Sequence, residues 1–189
     1  MSVVMECDYD KDPTPLYVAI TQRDWEGVMY QAENYREEIR TVIFRKDPET
    51  QLLKWRLLPI HAAILNDAPK EVIEFLLTAY TYGAEAQDDE GNLPIHLAIK
   101  KHADPETINF LLATYPECIH VRNREGQTPH QQAVTSSSEH KGYYMRALRP
   151  GPTYNAVTAS ISDLCFGADF RHLSFLSMGV TNVLTIMAF

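Results

Sequence analysis

The chain has 189 residues, of which 45% are hydrophobic and 22% are charged, a balance typical of a folded globular protein rather than a disordered one. Its 17 Lys and Arg residues against 25 Asp and Glu residues leave a net charge of −8, and its longest basic run is Lys100-Lys101. We therefore do not expect a nucleic-acid partner. Three cysteines without a CxxC spacing and the absence of a secretory signal indicate a reducing compartment. We expect the cytoplasm, with the nucleus as the alternative.

The first eleven residues, 1–11, are predicted to form an acidic N-terminal segment outside the folded domain. Asp8-Tyr9-Asp10-Lys11-Asp12 resembles the opening of a calcium-binding loop. However, Pro13 stands where such a loop needs a glycine to turn, and Ala19 stands where it needs a bidentate glutamate. We therefore predict a solvated acidic stretch without a metal.

The strongest signal in the sequence is an internal repeat. The segment 58–63, Leu-Pro-Ile-His-Ala-Ala, recurs 35 residues later at 93–98 as Leu-Pro-Ile-His-Leu-Ala. The same offset takes Pro94 to Pro129, and a fourth copy occupies 14–19. Proline suits a first helical turn, whose N–H groups lack acceptors within the helix. Each copy is followed by a second apolar segment with helical spacing, which a single helix pair cannot bury. The units must therefore stack on one another.

The connection between the first two copies is nine residues longer than the other connections. Its segment 41–55 holds two strand-like runs on either side of Asp47-Pro48-Glu49-Thr50. Asp-Pro between runs of β-branched and aromatic residues favours a turn, so the segment predicts an elongated hairpin. In the later connections, Gly91 and Gly126 stand 35 residues apart where a tight turn between units needs a positive φ angle.

These motifs resemble the Thr-Pro-Leu-His-x-Ala signature of ankyrin repeats, over residues 12–149. The resemblance implies an all-α repeat solenoid of three to four units, in which helix-turn-helix pairs are joined by β-turn fingers. Departures occur: Leu58 and Leu93 replace the signature threonine, Tyr17 replaces one histidine, and His130 stands one place early. The serine-rich stretch 136–142 is also predicted to interrupt the second helix of the last unit. That unit is therefore predicted either to fray or to act as a polar cap.

The resemblance also implies where a partner protein binds, namely at the fingers and the exposed side of each first helix. Trp55 is predicted to be either an anchor for the partner or a residue packed within the hairpin by the neighbouring Leu52 and Leu53. Carried over position by position, the partner-binding residues are Lys54, Trp55, Asp89, Glu90, Asn92, Lys100, Lys101, Arg124, Glu125 and Gln127.

Two groups of residues invite a chemical interpretation, but we predict that neither is a catalytic or metal site. His61 and His96 lie on successive units, whose helices are about 8–10 Å apart, which is too far for a shared metal ion. We predict structural histidines. Cys118 and His120 are two residues apart, a spacing that fits packing better than a nucleophile–base pair. No phosphate loop or hydrolase motif occurs in the sequence, so we expect no enzyme activity and no cofactor.

Residues 150–189 are predicted to form a linker and an apolar C-terminal tail. The last 17 residues, 173–189, carry no charge but fall short of the roughly 20 apolar residues that span a bilayer. Three interpretations of these residues stay open: a membrane anchor, a cap on the last repeat, or a disordered or truncated end. We therefore expect a monomeric, non-catalytic protein-interaction module, with a membrane-associated adaptor as the alternative.

Overall fold

A computed structural model describes residues 5–149 of the chain. The described residues contain three strands, nine α-helices and two short 3-10 helices (Thr81–Ala84 and Pro116–His120). The strands are β1 (Glu6–Asp8), β2 (Val42–Lys46) and β3 (Leu53–Leu57). The helices are α1 (Pro15–Thr21), α2 (Trp25–Asn34), α3 (Arg36–Ile39), α4 (Pro59–Leu65), α5 (Lys70–Ala79), α6 (Pro94–Lys100), α7 (Pro105–Thr114), α8 (Pro129–Thr135) and α9 (Lys141–Ala147).

Four helix pairs follow one another along the chain: α1 with α2, α4 with α5, α6 with α7, and α8 with α9. The first helix of every pair begins at a proline, as the repeat predicts. Each first helix also packs against the first helix of the next pair. The predicted stack of helical repeats is therefore confirmed.

The stack is held by apolar side chains that lie between successive units. Ile95, Leu97 and Ile99 on α6 are at most 2% exposed, and α6 packs between α4 and α8. Burying one such side chain stabilises the fold by about 1.5–3 kcal/mol. Because this burial requires a neighbour on both sides of α6, the unit depends on those that flank it.

The fourth pair is fully formed and has a polar outer side. The residues 35 positions after Ile95, Leu97 and Ile99 are His130, Gln132 and Val134, of which none is buried. A terminal unit of a repeat array needs such a polar face. Of the two predictions for this unit, the structure therefore favours the polar cap over fraying.

The second helix of this pair, α9, begins only at Lys141, after the loop of residues 136–140. The serine-rich stretch thus delays the helix rather than abolishing it. Tyr144 and Leu148 are completely buried against the preceding unit, and the Tyr144 hydroxyl donates to the Ala103 carbonyl oxygen. The last described unit is therefore a complete helix pair and is not frayed.

The predicted hairpin is present, as β2 and β3, which pair antiparallel. Its turn is ordered by Asp47, whose Oδ1 accepts hydrogen bonds from the backbone N–H groups of Glu49 and Thr50, at 3.1 and 2.8 Å. The sheet has a third member that the sequence analysis missed, because β1 pairs in parallel with β2. The prediction that residues 1–11 lie outside the folded domain was therefore wrong for residues 6–8.

One buried histidine in each of the two central helix pairs, α4 with α5 and α6 with α7, bonds to the finger that follows the pair. These fingers are the turn segments 86–92 and 121–127. The Nδ1 atom of His61 accepts the backbone N–H of Leu58 at 3.1 Å, and its Nε2 lies 3.1 Å from the Ala86 carbonyl oxygen. His96 repeats this pattern with Leu93 and Gln127, at 3.2 and 3.3 Å. Both ring nitrogens are thus used by backbone groups, as the prediction of structural histidines requires. This arrangement fits a neutral imidazole that carries its proton on Nε2.

The last unit uses a different pair of side chains at the same positions. Gln131, and not His130, is 35 residues after His96, and its Oε1 accepts the backbone N–H of Thr128 at 3.0 Å. The Thr128 hydroxyl accepts the Gln131 N–H in return. This reciprocal capping box satisfies two N–H groups at the helix start. Gln131 therefore performs the capping role of the histidine.

Within residues 5–149, no helix combines the length and apolar character needed to cross a membrane. The predicted linker and apolar tail, residues 150–189, lie outside the described residues, and so does the membrane-anchor alternative that rests on residues 173–189.

Acid should destabilise the fold through the two buried histidines. Burial lowers the pKa of His61 and that of His96 below the ordinary value of 6.5. Below about pH 6.5, these histidines therefore bind protons in the unfolded chain while they stay neutral in the folded chain. The free energy of unfolding therefore decreases as the pH falls below that value. Urea unfolding at pH 7.5 and 5.5 should show this loss, at a pH where carboxylates are still ionised. In the variant His61→Gln/His96→Gln the loss should be smaller, and an equal loss would contradict this account.

Replacing Gly91 by alanine should weaken the contact between two fingers. Gly91 and Gly126 have φ angles of 75° and 77°, in the left-handed region predicted for them. A Cβ on Gly91 would lie 3.0 Å from the Arg124 backbone nitrogen, whereas one on Gly126 would meet nothing within 4 Å. Chemical denaturation should show Gly91→Ala losing about 1–2 kcal/mol from its backbone conformation alone, and more from this contact. Gly126→Ala is the matched control, because it changes the backbone in the same way without a close neighbour. If both variants lose the same free energy of unfolding, the close approach of Gly91 to Arg124 does not contribute to stability.

Candidate functional site

The fingers of successive units are joined by backbone hydrogen bonds. The N–H of Asp89 donates to the Arg56 carbonyl oxygen at 3.1 Å, while Asp89 Oδ1 accepts the Arg56 N–H at 2.9 Å. The N–H of Arg124 then donates to the Glu90 carbonyl oxygen at 2.9 Å. The edge of β3 and the next two fingers therefore form one continuous row.

These fingers and the first helices of the last two units enclose an open groove of about 550 Å³. Its walls come from two fingers, from the C-terminal half of α6 and from the end of α8 and the loop that follows. Fourteen residues line it: Asp89, Glu90, Asn92, Ile99, Lys100, His102, Asn123, Arg124, Glu125, Gln127, Gln132, Thr135, Ser136 and Ser137.

The groove brings together seven of the ten residues predicted to contact a partner. They are Asp89, Glu90, Asn92, Lys100, Arg124, Glu125 and Gln127. The sequence analysis missed the residues at the end of the first helices, among them His102, Ser136 and Ser137. The repeat contains a signal for them, because 135–137 lie 35 residues after 100–102. Adding 35 to the numbers of the residues at the end of α6 therefore identifies the matching residues after α8.

The groove carries charges of both signs. Lys100 Nζ lies 3.8 Å from Glu90 Oε2, and both side chains are more than half exposed. Arg124 and Glu125 are exposed on the neighbouring finger, and neither has an ion-pair partner among residues 5–149. Ile99 is its single large apolar lining residue, so the groove presents a mixed, mainly polar surface.

Asn92 supports the fingers instead of facing a partner, which corrects its predicted role. It is only 3% exposed. Its N–H donates to Asp88 Oδ1 at 2.7 Å, and its Oδ1 accepts from Asn123 Nδ2 at 3.1 Å. Buried side chains must satisfy their polar atoms, and here they do so by linking one finger to the next.

Trp55 is packed within the hairpin and does not lie at its tip. It stands in the middle of β3, half-buried, with its ring centroid 6.1 Å from that of Tyr17 and 5.4 Å from that of Tyr9. Leu52 and Leu53, predicted as its packing partners, are instead 69% and 51% exposed. Of the two predictions for Trp55, the structure therefore favours packing, with different partners.

Lys54 and Lys101 lie outside the groove. Lys54 is exposed on β3. Lys101 forms an ion pair with Asp67 at 2.8 Å, and Asp67 also pairs with Arg23 at 2.9 Å. This row of charges crosses three units at the turns between the two helices of each pair. Its pairs are largely exposed, so each contributes little to stability.

The residues considered for chemistry are not arranged for it. Cys118 is 2% exposed and burial raises its pKa to about 11, so its thiol stays protonated near neutral pH, while His120 is exposed. In the segment 8–12, Asp8 pairs with Lys11 at 3.3 Å and Asp10 pairs with Arg45 at 3.0 Å. Among residues 5–149, no three His, Cys, Asp or Glu side chains could hold a metal ion.

The comparisons with known proteins agree with this architecture at the level of the fold. No protein-family model and no curated protein matches the sequence. Among solved structures, the crystal structure of the ankyrin repeat domain of Bcl-3, a unique member of the IkappaB protein family, matches with a TM-score of 0.51 and 20% identity. The match covers 71% of this chain and 55% of that one, so this chain spans about half the length of the Bcl-3 domain. Together with the stacked helix pairs and their fingers, this likeness gives the chain the ankyrin-repeat fold.

Proposed function

We propose that the protein is a non-catalytic interaction module that holds another protein in the groove between its last two fingers and first helices. The observation that carries this proposal is that one groove is lined by six of the side chains predicted to contact a partner, in addition to the buried Asn92. Ankyrin-type folds generally serve as binding scaffolds, and the fold supplies a mode of binding rather than a target.

The character of the groove favours a protein over a small molecule or a nucleic acid. Small-molecule pockets are mostly apolar and enclosed, whereas this groove is open and its lining is polar. Asp89, Glu90 and Glu125 would repel a phosphate backbone, in a chain whose net charge is −8. A polypeptide with side chains of both signs can meet the acidic residues and the basic pair Lys100 and Arg124 together.

The fingers are fixed before any partner arrives. Backbone hydrogen bonds join Asp89 to Arg56 and Arg124 to Glu90, and the buried Asn92 bonds to Asn123 behind them. A surface that is already ordered loses less conformational entropy on binding. Exposed side chains on such a rigid frame are therefore suited to select a partner by charge. We place this interaction inside the cell, in accordance with the cysteine content, and we propose that the protein acts as a monomer.

The membrane-associated adaptor rests on residues 173–189 alone. Because those residues lie outside the described part of the chain, no contact or burial supports that alternative here.

Reversing the basic charges of the groove should abolish partner binding. We expect the variant Lys100→Glu/Arg124→Glu to recover at least about tenfold less partner in pull-downs from extracts of the source cells, analysed by mass spectrometry, since pairing across an interface becomes repulsion. Both side chains are exposed, so the melting temperature should stay near that of the wild type.

The matched control is Arg36→Glu/Arg146→Glu, which makes the same change of charge at two exposed arginines that do not line the groove. It should recover partners as the wild type does. If both double variants retain the same partners at wild-type levels, the groove is not the binding surface.

A further inference from the structure

The three-stranded sheet contains a segment that is bound to the domain much as a separate peptide would be. Residues 5–12, which we call the N-terminal strap, lie along the edge of β2. Val42 donates its N–H to the Met5 carbonyl oxygen at 2.8 Å, and Tyr9 donates to the Phe44 carbonyl oxygen at 2.9 Å. An extended segment that adds to a sheet edge in this way is a common mode of peptide recognition.

Side chains of the strap fit a slot on the hairpin and α1. The Tyr9 ring lies 5.6 Å from the Tyr17 ring and 5.4 Å from the Trp55 ring, measured between centroids. The guanidinium carbon of Arg45 lies 5.4 Å from the centroid of the Tyr9 ring. Aromatic pairs and a cation over a ring both favour this geometry. The slot therefore accommodates an aromatic ring between two others, with a positive charge near its face.

Two arginines select acidic residues on either side of that tyrosine. Arg45 Nε lies 3.0 Å from Asp10 Oδ2, and an Arg56 amino group lies 2.7 Å from Glu6 Oε1. The strap is thus held by an aromatic ring flanked by carboxylates, together with backbone hydrogen bonds that any extended chain can make.

The strap lies at the margin of the hydrophobic core, against which its half-buried Cys7 and Tyr9 pack. The described core begins at Leu16, and no residue of the strap is buried. Its two ion pairs with the hairpin are between 40% and 49% exposed at every side chain, where such pairs stabilise weakly. Release of the strap would uncover the β2 edge and the slot while the helix pairs remain packed.

From these observations we propose that the β2 edge with Tyr17, Trp55, Arg45 and Arg56 is a second binding site, which the strap occupies in cis. It takes an extended acidic segment of another protein that carries a tyrosine between carboxylates. No strap residue and none of these four residues lines the groove, so this site is independent of the proposed function. Because a tethered strap acts at an effective concentration of the order of millimolar, an outside segment binds only when the strap is loosened or outcompeted.

The test uses the full chain and a synthetic peptide of residues 5–12 that carries Cys7→Ser and a fluorescent label. Binding is followed by fluorescence anisotropy. The variant Tyr9→Ser/Asp10→Ser, which loosens the strap, should bind this peptide at least about tenfold more tightly than the wild type, whose slot is filled. A peptide that also carries Tyr9→Ser should not bind. Lys11→Ala is the matched control, because the Lys11 side chain is 81% exposed and forms its ion pair with Asp8 of the strap itself; it should behave as the wild type.

A charge exchange tests the arginine contact directly. The variant Tyr9→Ser/Asp10→Ser/Arg45→Glu should lose affinity for the peptide, and a peptide carrying Asp10→Lys should restore it. If the loosened variant keeps the wild-type melting temperature but binds the peptide no better than the wild type, the proposal is overturned.

If the loosened variant fails to fold, amide hydrogen exchange of the wild type still tests whether the strap leaves the β2 edge. The Val42 amide, which donates to the strap, should exchange through a local opening, faster than the buried Leu58 and Leu93 amides. Adding excess peptide should slow it. Exchange of Val42 only at the rate of global unfolding would show that the strap is a permanent part of the sheet.

Discussion

The arrangement of the two central units depends on a buried imidazole in each that bonds to backbone at both of its nitrogens. In each central unit it accepts an N–H at the start of the first helix and reaches a carbonyl oxygen in the next finger. The histidine thereby fixes the direction of the finger relative to its helix. Since His61 and His96 are completely buried, neither bond competes with water, and losing one would leave buried backbone groups unsatisfied.

The groove follows from this constraint. Once each finger is fixed to its helix, the backbone bonds at Asp89 and Arg124 align neighbouring fingers, and the buried Asn92 and Asn123 connect them from behind. The exposed charges are then carried by a frame that already satisfies its own polar groups. In the last described helix pair, the corresponding outer positions of α8 carry His130, Gln132 and Val134 in place of the buried apolar residues of α6. In the proposed function, stability and recognition therefore rest on different residues of the same units.

The repeat itself made most of this fold predictable. A 35-residue offset in proline, histidine and glycine predicted the helix starts, the structural histidines and the left-handed turns at Gly91 and Gly126. Side-chain roles that depend on three-dimensional neighbours were not predictable. The parallel pairing of β1 joins residues far apart in sequence, Trp55 packs on tyrosines from two other segments, and Asn92 is buried by a finger 31 residues away. The capping role of Gln131 was not predicted, because a histidine performs this role at the equivalent positions 61 and 96.

The central claim is that the fingers form a rigid row before any partner binds, and amide hydrogen exchange of the free protein tests it most directly. Asp89 and Arg124 lie at finger tips, where an unbonded amide would exchange as fast as in an unstructured peptide. We predict that their N–H groups, bonded to Arg56 and Glu90, exchange at least about a hundredfold more slowly than that of Glu125, which has no acceptor among the described residues. Equal, fast exchange at all three positions would contradict the account.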